Sequence, residues 1–347
     1  MSIRRMSSCA DGVKGALHGL LIADALAMPT HWYYGGPRQV IACYGAPIHT
    51  YVKPSEKLAG SIMNKSATGG GGRGSFGGSV IGDVINHGKK HLWDPNESNH
   101  YHCTLKKGEN TLEAQLVRLL VRTIAQNRKF DANTFRNEYV SFMTTPGTHN
   151  DAYASTCHRM FFANATRGVP LEDCPDNDNH NVDTIDGLAL PTVVALASLR
   201  SMSRSESDQA VAQCVRVTRN SKPLEAAAVA WNGALRAVIN DGMPMGEAVQ
   251  RACSESREFK HVAAPAGAGK FEPIVAFGLA VAYDEKFEEG VLANANYGGE
   301  NVHRGIVVGA LLGARVGYNN LPSHLVSGLE ASDAIAREVE DFVASVV

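Results

Sequence analysis

A chain of 347 residues, 44% hydrophobic and 20% charged with a formal net charge of −2, holds enough apolar material for a sizeable core. It lacks the basic excess of a nucleic-acid or membrane-surface binder, so neither partner is expected. Its seven cysteines are scattered without a Cys-x-x-Cys, as reduced thiols in a cytoplasmic protein would be.

The opening MSIRRMSSCADG has no apolar run after its arginines, which argues against a secretory signal. A first helix is expected over 12–28, where Gly15, Gly19, Ala23 and Ala27 recur every four residues. Glycine costs roughly 1 kcal/mol against alanine in a helix interior, so such a row implies close approach of another helix. Asp24 lies inside it and needs a partner or a polar cavity. Residues 35–104 read as non-helical. They include the glycine cluster 68–78, whose G-x-G-x-x-G has neither the preceding strand nor the following helix of a nucleotide loop. Leu112, Leu116, Leu119, Leu120 and Ile124 then repeat at helical spacing. A second long loop is expected over 144–187, followed by helices over 188–200, 208–218, 224–239, 273–283, 302–316 and around 335–346. The helix over 302–316 carries its own glycine row at Gly305, Gly309 and Gly313. The apolar runs PIVAFGLAVAY and IVVGALLGA are too short to span a bilayer. With no paired strand pattern and no long linker, the chain reads as all-α and a single domain over 1–347.

Gly-Glu-Asn occurs twice, at 108–110 and 299–301, each time before a helix. Asn110 with Glu113 has capping-box spacing, which accounts for Asn110. It accounts less well for Glu109 and Glu300. Two such helix starts brought together would gather Glu109, Asn110, Glu300 and Asn301, oxygen donors suited to a hard cation. The segment 176–186 is dense in Asp, Asn and His but fails the EF-hand template, and reads as a loop lining a site. Asn150, Asp151, Tyr153 and Arg159 mix polar groups with aromatics, as ligand pockets do, while Met160, Phe161 and Phe162 read as core.

Taken in order, GVKGALHGLLIADALAM, GENTLEAQLVRLL, VTRNSKPLEAA and NANYGGENVHRGIVVGALLGARVGYNNLP resemble the ADP-ribosylglycohydrolases over most of the chain. The resemblance implies an all-α fold and hydrolysis of an N- or O-glycosidic bond of an ADP-ribosyl or related ribosyl substrate. It also implies a two-ion Mg²⁺ or Mn²⁺ site fed by acidic residues from those helix starts. Asp24 takes the family's first-helix aspartate. The departures fall on the site. Thr-Asp-Asp-Thr is replaced by Gly108-Glu109-Asn110-Thr111, and Gly-Gly-Asp-Thr-Asp-Thr by Gly298-Gly299-Glu300-Asn301-Val302-His303. An expected acidic position falls near His31 and the Thr-His histidine at Arg219. The resulting expectation is a remodelled site with one Mg²⁺ or Mn²⁺, or none, in preference to two. Glu109, Glu300 and Asp151 are its candidate catalytic residues, and Asp24, Glu109, Asn110, Glu300 and Asn301 its candidate ligands. Asn150, Tyr153, Arg159, Asp178, Asn179, His180 and Asp183 are expected to face a small-molecule or ADP-ribosylated substrate, with Asp178, Asp183 and Asp186 as further acid/base groups or replacement metal ligands. The alternative is an inactive member that binds an ADP-ribose-like ligand or serves a structural role.

Overall fold

Two rows of small residues decide which helices form the centre. The computed structural model describes residues 8–59, 61, 80–94, 96–177, 182–262 and 275–347. Its helices are α1 (Cys9–Ala27), α2 (Gly36–Tyr44), α3 (Leu112–Asn127), α4 (Ala132–Thr144), α5 (Thr156–Thr166), α6 (Ala189–Ala197), α7 (Arg204–Thr218), α8 (Lys222–Ile239), α9 (Met245–Glu255), α10 (Arg257–Val262), α11 (Val275–Ala282), α12 (Phe287–Tyr297), α13 (Asn301–Val316), α14 (Ser323–Ser327) and α15 (Ser332–Val346). Extended pairing among the described residues is limited to isolated bridges, so the fold is all-α. No described helix is long and apolar enough to cross a membrane.

α1 is buried on every face from Gly15 to Ala27, as a central helix must be. It lies antiparallel to α13, with Gly15 against Gly313, Gly19 against Gly309 and Ala23 against Gly305. A β-carbon at Gly15, Gly19, Gly309 or Gly313 would overlap a backbone carbonyl of the facing helix. The glycine rows are therefore the contact surface itself. α12 covers one side of the pair, α3 lies between α15 and α6, and α8 packs with α7, α9 and α10. Gly309→Val should cost about 3 kcal/mol or more, because its methyls meet backbone that cannot swing aside. Urea denaturation measures this, and a loss below about 1 kcal/mol would mean that the helices can part cheaply.

The sequence-based expectation of long irregular stretches needs correction. α2 interrupts 35–104, and α5 occupies the middle of 144–187. In α5, Cys157 to Asn164 are all buried, so Met160, Phe161 and Phe162 are core as expected. The glycine cluster 68–78 lies outside the described residues.

Candidate active site

Because α1 and α13 run antiparallel, the end of α1 lies beside the start of α13, and α3 begins next to both. Asp24, fully buried near the end of α1, receives three donors from this start. They are Asn110 Nδ2 at 2.9 Å, Thr111 N at 2.9 Å and Thr111 Oγ1 at 2.6 Å. Burial pushes the Asp24 carboxyl up to about 6, against the pull of these hydrogen bonds. The next free amide, Leu112 N, donates to Asp151 Oδ2 at 2.8 Å. Two carboxylates from elsewhere in the chain thus cap α3. The expected Asn110–Glu113 capping box does not form: Thr111 is the N-cap, and Glu113 turns to Ser155 and His158.

Asp151 is buried, and its other oxygen accepts from His102 Nδ1 at 2.9 Å and Tyr153 N at 3.2 Å. Burial opposes its charge, but His102 and these amide donors hold its carboxyl below the usual range. His102 Nε2 lies 2.7 Å from His31 Nδ1. An ionised carboxylate only accepts, so His102 donates from Nδ1; where its Nε2 accepts in turn, His31 Nδ1–H donates to it and the His31 lone pair lies on Nε2. His31 is buried, and burial, then the nearby His303, His102 and His100, hold its pKa well below 6.5. Its Nε2 is left as a buried lone pair with no protein partner.

The segment after α1 is clamped to the start of α13 by two backbone bonds. Trp32 N donates to Gly299 O at 2.7 Å, and Gly299 N to Tyr33 O at 3.1 Å. Gly298 and Gly299 both have φ of +64°, and a β-carbon at Gly298 would strike the Tyr33 carbonyl. Glycine is needed here for both reasons. Trp32 itself sits at φ +60°, an unfavourable conformation for so bulky a residue. It is held there with its ring stacked 3.4 Å from His31 and its Nε1 donating to Glu300 Oε1 at 3.0 Å. Tyr34 Oη donates to the same oxygen at 3.2 Å, and His303 Nδ1 lies 2.9 Å from Glu300 Oε2. Burial disfavours charge on His303, but Asp186 and then Glu300 raise its pKa to about 9.

Two further buried pairs flank this centre. Glu113 accepts from Ser155 Oγ at 2.6 Å and lies 3.0 Å from His158 Nε2. Burial opposes a charged His158, yet Cys157, Tyr139 and Glu113 hold its pKa well above 6.5. Asp186 is ion-paired with Arg219, whose guanidinium also reaches Val182 O and Thr184 Oγ1. Burial resists the Asp186 charge, but Arg219 and His303 draw its pKa well down. Four buried or half-buried carboxylates therefore each face a basic side chain. An enclosed cavity of about 10 Å³ lies among His31, His102, Glu113, Asp151, Tyr153 and His303, room for about one water.

Of the other expected site residues, Glu109 turns back on its own loop and accepts from Lys106 N at 2.8 Å. Asn150 is exposed and ties its loop to Thr104, through Thr104 Oγ1 to Asn150 O at 2.6 Å. Tyr153 lines the cavity, parallel to Trp93 and edge-on to Trp32. Arg159 is buried behind it, over the Trp93 ring and bonded to Ala154 O and Thr156 Oγ1. Asp183 is exposed. Asp178, Asn179 and His180 lie outside the described residues. His31, His102 and Glu113 were not picked out as site residues from sequence. The traceable signal is two histidine-aromatic runs, His31-Trp32-Tyr33-Tyr34 and His100-Tyr101-His102, outside any expected helix.

A helical core that gathers buried carboxylates and imidazoles where three helix ends meet defines a polar catalytic or binding centre. The family model described as ADP-ribosylglycohydrolase matches residues 6–346, and the chain belongs to that family. Among solved structures, one titled "ADP-ribosylglycohydrolase-related protein complex" is similar at 17% identity and a TM-score of 0.58, covering 99% of this chain and 100% of that one. That likeness concerns the fold. Comparison with curated proteins gives no match.

Among the described residues, the oxygen donors of a two-ion Mg²⁺ or Mn²⁺ centre do not come together. Both Asp24 oxygens are taken by Asn110 and Thr111. Asn110 turns its NH₂ to Asp24 and to Leu21 O. Asn301 spends its NH₂ on Thr30 Oγ1 and Ala295 O, which leaves its buried Oδ1 without a partner. Val302 packs with Ala27, Met28 and Leu105. Among the described residues, the cluster that could hold an ion is instead His31, Glu300 and His303, whose donor atoms lie within 4.8 Å of one another.

Proposed function

We propose that the protein hydrolyses a glycosidic bond of an ADP-ribosyl or related ribosyl substrate at this centre. The observation that carries the reading is the bare His31 Nε2, aligned by His102 and Asp151 beside Glu300 and His303. The cavity has room for a water but not for a sugar, so the substrate rests above it. Trp32 and Tyr153, both half-buried and edge-on to each other over the buried Tyr101, form an aromatic wall there, and Tyr34 is 64% exposed. Such rings suit stacking against a ribose or purine face. His31, Glu300 and His303 orient the water towards the anomeric carbon. Family membership supports the reaction class, and the aromatic wall supports a ribosyl ligand of small-molecule or protein-linked form.

The test is release of free ADP-ribose from serine-linked, arginine-linked and small-molecule ADP-ribosyl substrates. His31→Ala should lower kcat at least about 100-fold without moving the melting temperature by more than a few degrees. Binding of ADP-ribose with no turnover of any substrate class would replace hydrolysis with ligand binding.

A further inference from the structure

The donors that converge in this pocket are of a different chemical kind from the family's. Two are imidazole nitrogens and one is a carboxylate, and all three lie within 4.8 Å of one another. Neighbouring ligands around a tetrahedral ion with bonds near 2.0–2.1 Å stand roughly 3.3–3.5 Å apart, so the widest gap closes by at most about 1.5 Å, shared between two side chains. Glu300 Oε2 and His303 Nδ1 are already 2.9 Å apart as an ion pair, and an entering ion displaces the proton between them to solvent. Independently of this spacing, His31 Nε2 is fully buried and lacks any protein partner. A buried bare lone pair is costly, and a cation satisfies it.

We propose that His31, Glu300 and His303 bind one divalent transition-metal ion of the zinc class, in place of the pair of hard cations. Imidazole suits zinc, cobalt and iron, whereas magnesium and calcium prefer all-oxygen sets. Three protein ligands with an open fourth position match a catalytic zinc centre and not a structural one. The supporting contacts are those a ligated ion requires. His31 is backed through Nδ1 by His102 and then Asp151, which fixes its tautomer and strengthens its Nε2 as a donor. Glu300 is held by Trp32 Nε1 and Tyr34 Oη on the oxygen facing away from His303. The strained Trp32 backbone and the two bonds to Gly299 bring the ligand-bearing segments together. The inference rests on the proposed reaction only for its location, since ion binding is measured without substrate.

Chelator-stripped full-length protein is titrated with Zn²⁺, Co²⁺ and Mg²⁺ by calorimetry, with visible absorption recorded for Co²⁺. The expected result is one Zn²⁺ per chain, bound at least about 100-fold more tightly than Mg²⁺, and a Co²⁺ spectrum with the intense bands of four- or five-coordination. His31→Ala should weaken Zn²⁺ at least 10-fold, as should Glu300→Gln, whose half-buried position protects folding. Asp151→Asn should weaken it 10- to 100-fold. Stoichiometric binding of two Mg²⁺, a six-coordinate Co²⁺ spectrum, or Zn²⁺ affinity unchanged in both ligand variants would overturn the site. Co²⁺ binding without hydrolysis sinks the proposed reaction and leaves the metal site standing. Chelator-insensitive hydrolysis with no ion bound does the reverse.

Discussion

Replacing Asp151 with asparagine is expected to lower turnover by about 100- to 10,000-fold while KM stays within a few-fold. The volume hardly changes, so the effect is one of hydrogen-bond polarity. Asp151 is surrounded by donors: His102 Nδ1 and Tyr153 N on one oxygen, Leu112 N on the other. An amide has only one accepting atom. If its oxygen faces Leu112, its NH₂ faces His102, and His102 must present a lone pair from Nδ1 and a proton from Nε2. His31 then accepts at Nδ1 and carries its proton on Nε2, so the bare lone pair disappears. If the amide turns round instead, the relay survives but two N–H groups meet at the start of α3. Each orientation leaves one donor-donor contact, at Tyr153 N if the relay inverts and at Leu112 N if it does not, and either way the site loses what the carboxylate supplied. Steady-state kinetics of the folded variant decides this; turnover within threefold of the parent would separate Asp151 from the chemistry.

The second large effect is on stability. Arg219→Met should cost about 3–5 kcal/mol, because it leaves the buried Asp186 carboxylate without its ion-paired guanidinium and with only the influence of His303 against its charge. Both side chains are nearly inaccessible, at 3% and 2% exposure, and Asp186 Oδ1 already lacks a hydrogen-bond partner. Removing both charges is a different matter. The pair Arg219→Met with Asp186→Leu should recover most of the loss, since desolvating two ions offsets much of their attraction. Urea denaturation of the single and double variants measures the difference. A double variant as unstable as the single one would show that the arginine acts through packing, not charge. Because Asp186 is the largest influence holding His303 charged, the double variant, which removes that carboxylate, should also lower the His303 pKa.

The helices that were legible in the sequence are those whose burial is periodic or continuous. Leu112, Leu116, Leu119, Leu120 and Ile124 all point into the core from α3, as do Ile335, Val339 and Phe342 from α15. The glycine rows of α1 and α13 announced a close helix pair and do form one. α2, α4, α5, α9, α10, α12 and α14 were missed; GPRQVIACY and FEEGVLANANY, for instance, are short and mix glycine or asparagine with their apolar residues, so tertiary contacts carry them. The start of α3 was read one residue out, since its caps come from distant residues: Asp24 and Asp151 cap it, where local spacing pointed to Asn110 and Glu113. The relay was out of reach for the same reason. His31 and His102 are 71 positions apart, and His102 and Asp151 are 49 apart. A tautomer fixed by such a chain is a property of the assembled fold. What the sequence did disclose was the place where the chain departs from its family, because Glu300, Val302 and His303 stand together at one helix start.

The claim that an ADP-ribosyl group is handled at this centre is tested most directly by a crystal structure of the protein soaked with ADP-ribose. The account predicts the terminal ribose against Trp32 and Tyr153, with its anomeric carbon within about 4 Å of a water held by His31, Glu300 or His303. ADP-ribose bound elsewhere on the surface, or a pocket that admits none at millimolar concentration, would contradict it.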